Sequence, residues 1–206
     1  MKKYELTGET KIWCGHTMHR IRAVAAFGNV KAGELGGYVE KEGNLSQDGD
    51  AWVYGNARVC GNAQVSGNAR LSGNAEVSGD AWIYRNAWIY DNAQVYGNAR
   101  VCGNAQVYGN ARVCGAAEVY GAAQVCSPLH LLVIGPCGSR NEFTTFFRNR
   151  NREISVRCGC FHGNIEEFLS RVSETHGDNK HALVYRAAAE AAKVHIDLTE
   201  DGNSQQ

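Results

Sequence analysis

The side chains of this 206-residue sequence best suited to chemistry are seven histidines, eight cysteines and a run of arginines. His16, His19, His130, His162, His176, His181 and His195 are spread over both ends of the chain. Cys158, Cys160 and His162 alternate, so on one strand they would share a face and could ligate a metal. Paired zinc-binding cysteines usually stand two to four residues apart, and a fourth ligand would have to come from Cys137, His130 or His176. The expectation is therefore ordinary thiols at a strand end, with no metal and no cofactor. Arg148, Arg150, Arg152 and Arg157 lie beside Phe146 and Phe147, a combination able to grip an anion such as a nucleotide phosphate. Glu142 and Glu153 dilute that charge, and the tip of a polar hairpin would have the same composition.

What must position these groups is set by the middle of the chain. Residues 49–126 are one six-residue phrase, Gly-Asn-Ala-x-Val-x, repeated thirteen times without a break. A period this short marks a solenoid of short strands and corners. The third position is Ala in all thirteen copies; the fifth is Val in ten, Ile in two (Ile83, Ile89) and Leu in one (Leu71). Two residues apart on an extended segment, they point the same way, inward. Positions four and six point outward and vary. Positions one and two, mostly Gly-Asn or Gly-Asp, suit corners that need positive φ or local side-chain bonds.

An aliphatic residue followed four positions later by a small one, as in Val53 and Ala57, Val59 and Ala63, through Val119 and Ala123, resembles the hexapeptide-repeat proteins. The resemblance covers 78 of the 206 residues. It implies an all-β solenoid, a left-handed parallel β-helix with three hexads per coil, so that residues eighteen apart stack. Thirteen hexads then make just over four coils, a column roughly 20 Å tall at the usual strand spacing. Many proteins of that family are trimeric acyltransferases and a smaller branch are metal-dependent carbonic anhydrases; both use histidine, as general base or as zinc ligand. Here every histidine lies outside the repeat, and no loop interrupts the hexads to build a substrate cleft. The resemblance therefore points away from an enzyme, with an acyltransferase whose site lies between subunits as the alternative.

Sorting hexads by threes gives three faces. The first carries Trp52, Arg70, Trp88, Gln106 and Gln124 in one row and Tyr54, Ser72, Tyr90, Tyr108 and Cys126 in the other. The second carries Arg58, Glu76, Gln94 and Arg112, with Tyr96 its one aromatic. The third carries Trp82, Tyr84 and Tyr120, with Arg100 beside Glu118. Five aromatics on the first face, with Arg70 between Trp52 and Trp88 in a cation–π stack, compose an interface. Either a second copy of the chain or the C-terminal segment is expected to cover it.

Residues 1–48 read as an N-terminal cap and lead-in, with strand-like pieces from Lys11 to Ala26, turns in Gly33–Val39 and a degenerate first hexad over Gly43–Asp48. Residues 127–206 read as a small α+β domain of three strands and two helices. The strands are Leu129–Ile134, Phe143–Phe147 and Ile154–Arg157, with Gly135–Gly138 as a turn. One helix is capped by Gly163-Asn164 with Glu166 and Glu167 in its first turn; the second begins near Asp178 and ends about His195. The whole arrangement is similar to uncharacterised proteins of bacteria and their prophages. It runs from Gly36-Gly37-Tyr38-Val39 through the repeats and Ile134-Gly135-Pro136 to Cys158-Gly159-Cys160-Phe161-His162-Gly163 and Glu174-Thr175-His176-Gly177-Asp178-Asn179-Lys180. That second resemblance brings no established activity.

Acidic and basic residues number 21 each, and five of each lie in the repeat, which is not the footprint of a nucleic-acid binder. The start, Met-Lys-Lys-Tyr-Glu-Leu, is not followed by an apolar run, and no stretch is apolar enough to span a membrane. Cys60 and Cys114 share a face three coils apart, while Cys102 and Cys126 lie on the other two, too far apart for disulfides. Free thiols and no leader point to the cytoplasm. The expected function is binding by a rigid solenoid, as a homo-oligomer with a trimer favoured, and with a host protein or a nucleotide as further partners. A polymer of columns stacked end to end is a third reading.

Overall fold

The repeat folds as its side-chain pattern dictates. All thirteen third-position alanines are fully buried, and the fifth-position residues are at most 1 % exposed. The computed structural model describes residues 2–199. Thirteen two-residue strands, β4 to β16, run from Trp52–Val53 to Gln124–Val125 and occupy positions four and five of each hexad. Each of the first ten pairs in parallel with the strand eighteen residues on, as in the series Trp52, Arg70, Trp88, Gln106, Gln124. Three sheets form the three sides of a β-solenoid.

The corners explain the first two positions. Gly73 has φ +66°, and a Cβ there would lie 2.9 Å from the backbone nitrogen of Asp91, one coil on. Corners therefore stack backbone on backbone. At the second position the side-chain amides form ladders: Asn68 Nδ2 donates to Asn86 Oδ1 and Asn86 Nδ2 to Asn104 Oδ1, each at 3.1 Å.

The coil count exceeds the expectation from thirteen hexads. Strand β3 (Leu35–Val39) pairs in parallel with Arg58–Val59, placing Val39 over Val59, and Leu45 bridges Val65. Val39, Leu45 and Val53 thus line a complete first coil, and the column has about five. The degenerate hexad does fill one side, with a 3₁₀ turn at Glu42–Asn44 leading into buried Leu45. Ahead of it, β1 (Tyr4–Trp13) and β2 (His16–Ala23) form an antiparallel hairpin that continues through β3 into the solenoid sheet.

This N-terminal segment closes the column chemically. Within the column, carbonyls at positions one and three accept N–H groups from the coil before, as Gly79 O accepts from Asn62 and Ala81 O from Gln64. The first coil has no such neighbour. Lys3 Nζ instead donates to Gly49 O at 3.2 Å and Ala51 O at 3.0 Å. One coil on, Asn44 of the first coil gives its backbone N–H to Lys41 O and sends its side-chain Nδ2 to Gly61 O at 3.1 Å and Ala63 O at 2.9 Å of the second. One ammonium and one amide replace four backbone donors.

At the other end the missing partners are acceptors. Glu118 N donates to Thr145 Oγ1 at 3.0 Å, and Cys126 N to His130 Nδ1 at 3.3 Å. Thr145 lies in a four-stranded antiparallel sheet of β17 (Leu131–Cys137), β18 (Glu142–Arg148), β19 (Ile154–Cys158) and β20 (Phe161–Asn164). Four strands replace the three expected, and Gly135–Cys137 belongs to the first of them rather than to a turn. Leu131, Val133 and Phe147 join the solenoid core, while Leu132, Phe146 and Val156 face α1 (Ile165–His176) and α2 (Lys180–His195). The layers run last coil, sheet, helices. Asn164 caps α1 in a reciprocal box with Glu167, and Asn179 caps α2. Both end coils are covered, which runs against stacking of columns end to end.

Two variants test the register. Ala93→Leu forces extra atoms into the packed interior and should cost about 1–3 kcal/mol or more in a denaturant melt. Gln94→Ala, one residue on and outward, should change stability by less than about 0.5 kcal/mol. Equal losses would refute the register.

Lys3 provides a pH test. Burial lowers its pKa to about 8, against the pull of Asp50 and Asp48. Between that value and the ordinary lysine value of about 10.5 the unfolded chain holds a proton that the folded chain has released, so stability rises with pH across this window. In denaturant melts from pH 7.5 to 10.5, wild type should gain relative to Lys3→Gln, which keeps a donor without the charge; a constant difference would count against the buried ammonium.

Candidate functional site

With both ends closed, the flanks of the column are what remains open. On the first face Trp88 is 42 % exposed and packs against Tyr90, ring centroids 4.7 Å apart. Tyr90 stacks on Tyr108 at 4.9 Å with the rings 2° from parallel. Eighteen-residue stacking alone brings these rings together, because tyrosine at position six recurs one coil on. The sheet and helices of the C-terminal region cap the end of the column and leave Trp88 open, so the expected fold-back over this face is not found. Tyr54, at the start of the row, is half-buried, and burial raises its phenol pKa while nearby Arg70 draws it back.

Trp52 does not belong to this surface. It is fully buried, because the position that points outward in every later coil is covered in the first by the N-terminal segment. Tyr4 and Phe27 meet its ring edge-to-face at 6.2 Å and 5.4 Å. Arg70 lies in register between Trp52 and Trp88 but is exposed, and among the described residues it makes no cation–π contact with either ring. The remaining aromatic strip is thus exposed Trp88 with half-buried Tyr90 and Tyr108, flanked by Arg70.

The basic stretch also divides. Arg148 is 2 % exposed, with its guanidinium 3.0 Å from the His130 ring, so it is an interior group. Arg150 and Arg152 are exposed in the turn between β18 and β19, where Arg150 N donates to Ala122 O at 3.0 Å. Arg157 Nε donates to Glu118 Oε2 at 2.8 Å and so ties the sheet to the last coil. These arginines do not converge on one anion.

The third face holds residues that the sequence reading underweighted. Trp82 is 47 % exposed, with the Arg100 guanidinium 5.7 Å from its ring. Burial, reinforced by a bond to Cys102, pushes the Tyr84 phenol up to about 12. Arg85 takes a corner position usually held by glycine, at φ +60°, and its Nη1 donates to the Tyr120 hydroxyl at 3.3 Å. Toward the C-terminal end this face is occupied by the sheet: the Tyr120 and His162 rings lie 5.2 Å apart.

Cys158, Cys160 and His162 do not share one strand. Cys158 ends β19 and pairs with Phe161, Cys160 sits exposed in the turn, and His162 lies on β20 against the last coil. The Cys158 thiol accepts a bond from Thr144 Oγ1 at 3.2 Å. Among the described residues no three His, Cys, Asp or Glu side chains gather as a metal site. All eight cysteines are free.

A recess of about 420 Å³ in the C-terminal region lies beside this turn, between α1, α2 and the β17–β18 turn. Phe161, Phe168, Val172 and Tyr185 give it an apolar lining, and Ser139, Arg140, Arg171 and His176 a polar one. Ser139 Oγ is 3.5 Å from His176 Nε2, and the His176 ring stacks on Tyr185 at 5.7 Å. Of these, His176 is the one that the sequence offers as a candidate ligand; Ser139, Arg140 and Arg171 are distant in the chain and follow no motif.

Comparison with known proteins agrees with this architecture. The profile of a family described as the YdcK beta solenoid repeat matches residues 51–67, 93–105 and 105–127, all within the column or its last residues. No curated protein matches the chain. No helix is long and apolar enough to cross a membrane, among the described residues.

Arg85 is a direct test of the corner geometry on the third face. An L-residue in the left-handed region costs about 1–2 kcal/mol, and an exposed hydrogen bond returns less than that. Arg85→Gly should therefore raise the melting temperature, and a fall would show that the Arg85–Tyr120 contact outweighs the backbone strain.

Proposed function

We propose that this protein is a non-enzymatic solenoid that acts by binding, and that its first contact is with further copies of itself through the Trp88, Tyr90 and Tyr108 strip. The observation that carries this reading is the strip itself: Trp88 packs on Tyr90 and Tyr90 on Tyr108 along one side of the column, with Trp88 42 % exposed and the two tyrosines half-buried. Aromatic side chains bring large contact area at small entropic cost and dominate interface energetics. A flat sheet flanked by Arg70 suits a self-complementary or cyclic contact. A homotrimer is the assembly favoured by resemblance to the hexapeptide-repeat proteins.

In this reading the column is a spacer. It fixes the C-terminal sheet-and-helix units at one end of an oligomer, where they would meet a partner. The similarity of the whole chain to prophage proteins makes a host protein the partner class of first interest, with a nucleotide held between subunits as the other. Free thiols throughout fit a reducing compartment such as the cytoplasm.

The test is Trp88→Glu. The inward Ala and Val ladder is untouched, so the β-type circular dichroism should be unchanged. Burying an unpaired carboxylate at the centre of the contact is costly enough to dissociate a typical interface. Light scattering should report a single chain for the variant and a multiple of it for wild type. A variant that keeps the wild-type mass would move the contact to the Trp82 and Tyr84 side.

A further inference from the structure

The recess in the C-terminal region has the chemistry of a ligand site. We propose that it binds a small organic anion, an oxyanion head on a compact apolar body. Its volume of about 420 Å³ lies in the range of small-molecule pockets. Its apolar part is continuous with the helix-side core: Phe168 meets Phe161 at 5.6 Å and Tyr185 at 5.7 Å, and Val172 is buried beside them. An apolar body would rest on these rings.

The polar part is cationic. Arg140 comes from the β17–β18 turn and Arg171 from α1, so two separate elements each bring a guanidinium to the same recess. Ser139 and His176 add donors, and no carboxylate lines the space. Arg140 has no ion-pair partner among the described residues. Arg171 has Glu174 at 3.6 Å, with both side chains well exposed, a pairing that water and salt weaken. Guanidiniums hold carboxylates and phosphates through paired N–H donors; the Glu142 carboxylate lies near the Arg140 guanidinium beside Gly159, so a ligand competes with it for Arg140.

The turn that carries Ser139 and Arg140 is held in place by packing. Gly138 has φ +73°, and a Cβ there would lie 2.1 Å from the Tyr185 hydroxyl. The Tyr185 ring therefore closes directly on the backbone of the turn, and burial raises its phenol pKa. A preformed wall of this kind spares a ligand the cost of ordering it. The site is independent of the self-association proposed above, since it lies in the helical layer, away from Trp88.

Calorimetry on the full chain, with phenyl phosphate and benzoate as probes, tests this. At least one should bind in a one-to-one ratio with a dissociation constant of about 1 mM or lower. Inorganic phosphate and benzyl alcohol, each lacking one half of the chemistry, should bind at least about tenfold more weakly. Arg140→Gln with Arg171→Gln should weaken the probe at least about tenfold without changing the melting temperature, whereas Arg150→Gln with Arg152→Gln should leave it unchanged. The tighter of the two probes identifies the head group as phosphate or carboxylate. No binding of either probe at about 10 mM, equal binding of inorganic phosphate, or binding that survives loss of both arginines would overturn the proposal.

Discussion

Every part of this protein answers to one constraint: each coil must meet the next with matched backbone donors and acceptors at an eighteen-residue register. Ala and Val inside, and Gly-Asn at the corners, let thirteen hexads satisfy it in the same way. The same constraint makes the ends of the column chemically different. Carbonyls are left over at the start and N–H groups at the finish. Lys3 brings donors to the first coil, Asn44 brings them to the second where the first is irregular, and Thr145 and His130 bring acceptors to the last. The flanking segments are thus shaped by what the terminal coils lack, and a bare coil edge, the usual template for open-ended stacking, is avoided.

Closing the ends leaves the flanks for function. Positions four and six of the hexad vary, because neither points into the Ala and Val ladder, although in the first coil Trp52 is buried beneath the N-terminal segment. On the second face Arg58 lies 3.6 Å beneath the Trp13 ring and pairs with Glu76 at 3.1 Å, so the N-terminal hairpin already uses that surface. On the third, Tyr120 and Glu118 are engaged by the C-terminal sheet. On the middle of the first face Trp88 stays exposed beside half-buried Tyr90 and Tyr108. Self-association there is our proposal; the recess in the helical layer is a second site with different chemistry.

The solenoid and its inward positions were legible in the sequence from the uninterrupted period, and the eighteen-residue stacking from the resemblance to the hexapeptide-repeat proteins, whose coils hold three hexads. The exceptions lie where the period stops. Trp52 has the outward position of its hexad, yet a first coil needs a lid, and Tyr4 and Phe27, nearly fifty and twenty-five residues earlier, supply it. Arg148 shares a run of arginines with Arg150 and Arg152, but it ends a strand whose last five residues are all buried, whereas the other two sit in the turn beyond. Leu45 completes the first coil from outside the hexad pattern, twenty residues before Val65. The strand Phe161–Asn164 was hidden because Cys-Gly-Cys-Phe-His-Gly shows ligand-like residues and no apolar alternation. The recess was illegible for a simpler reason: Ser139, Arg140, Arg171 and Tyr185 meet only after the sheet and helices pack.

The central claim is a column closed at both ends that assembles through one flank. Sedimentation velocity of the wild-type protein over a range of concentrations tests it most directly, against a chain mass of 22.4 kDa. The account predicts one finite species of a few chains, three in the favoured assembly. A single chain at every concentration would contradict assembly through the flank, and a continuous series of growing species would contradict closure of the ends.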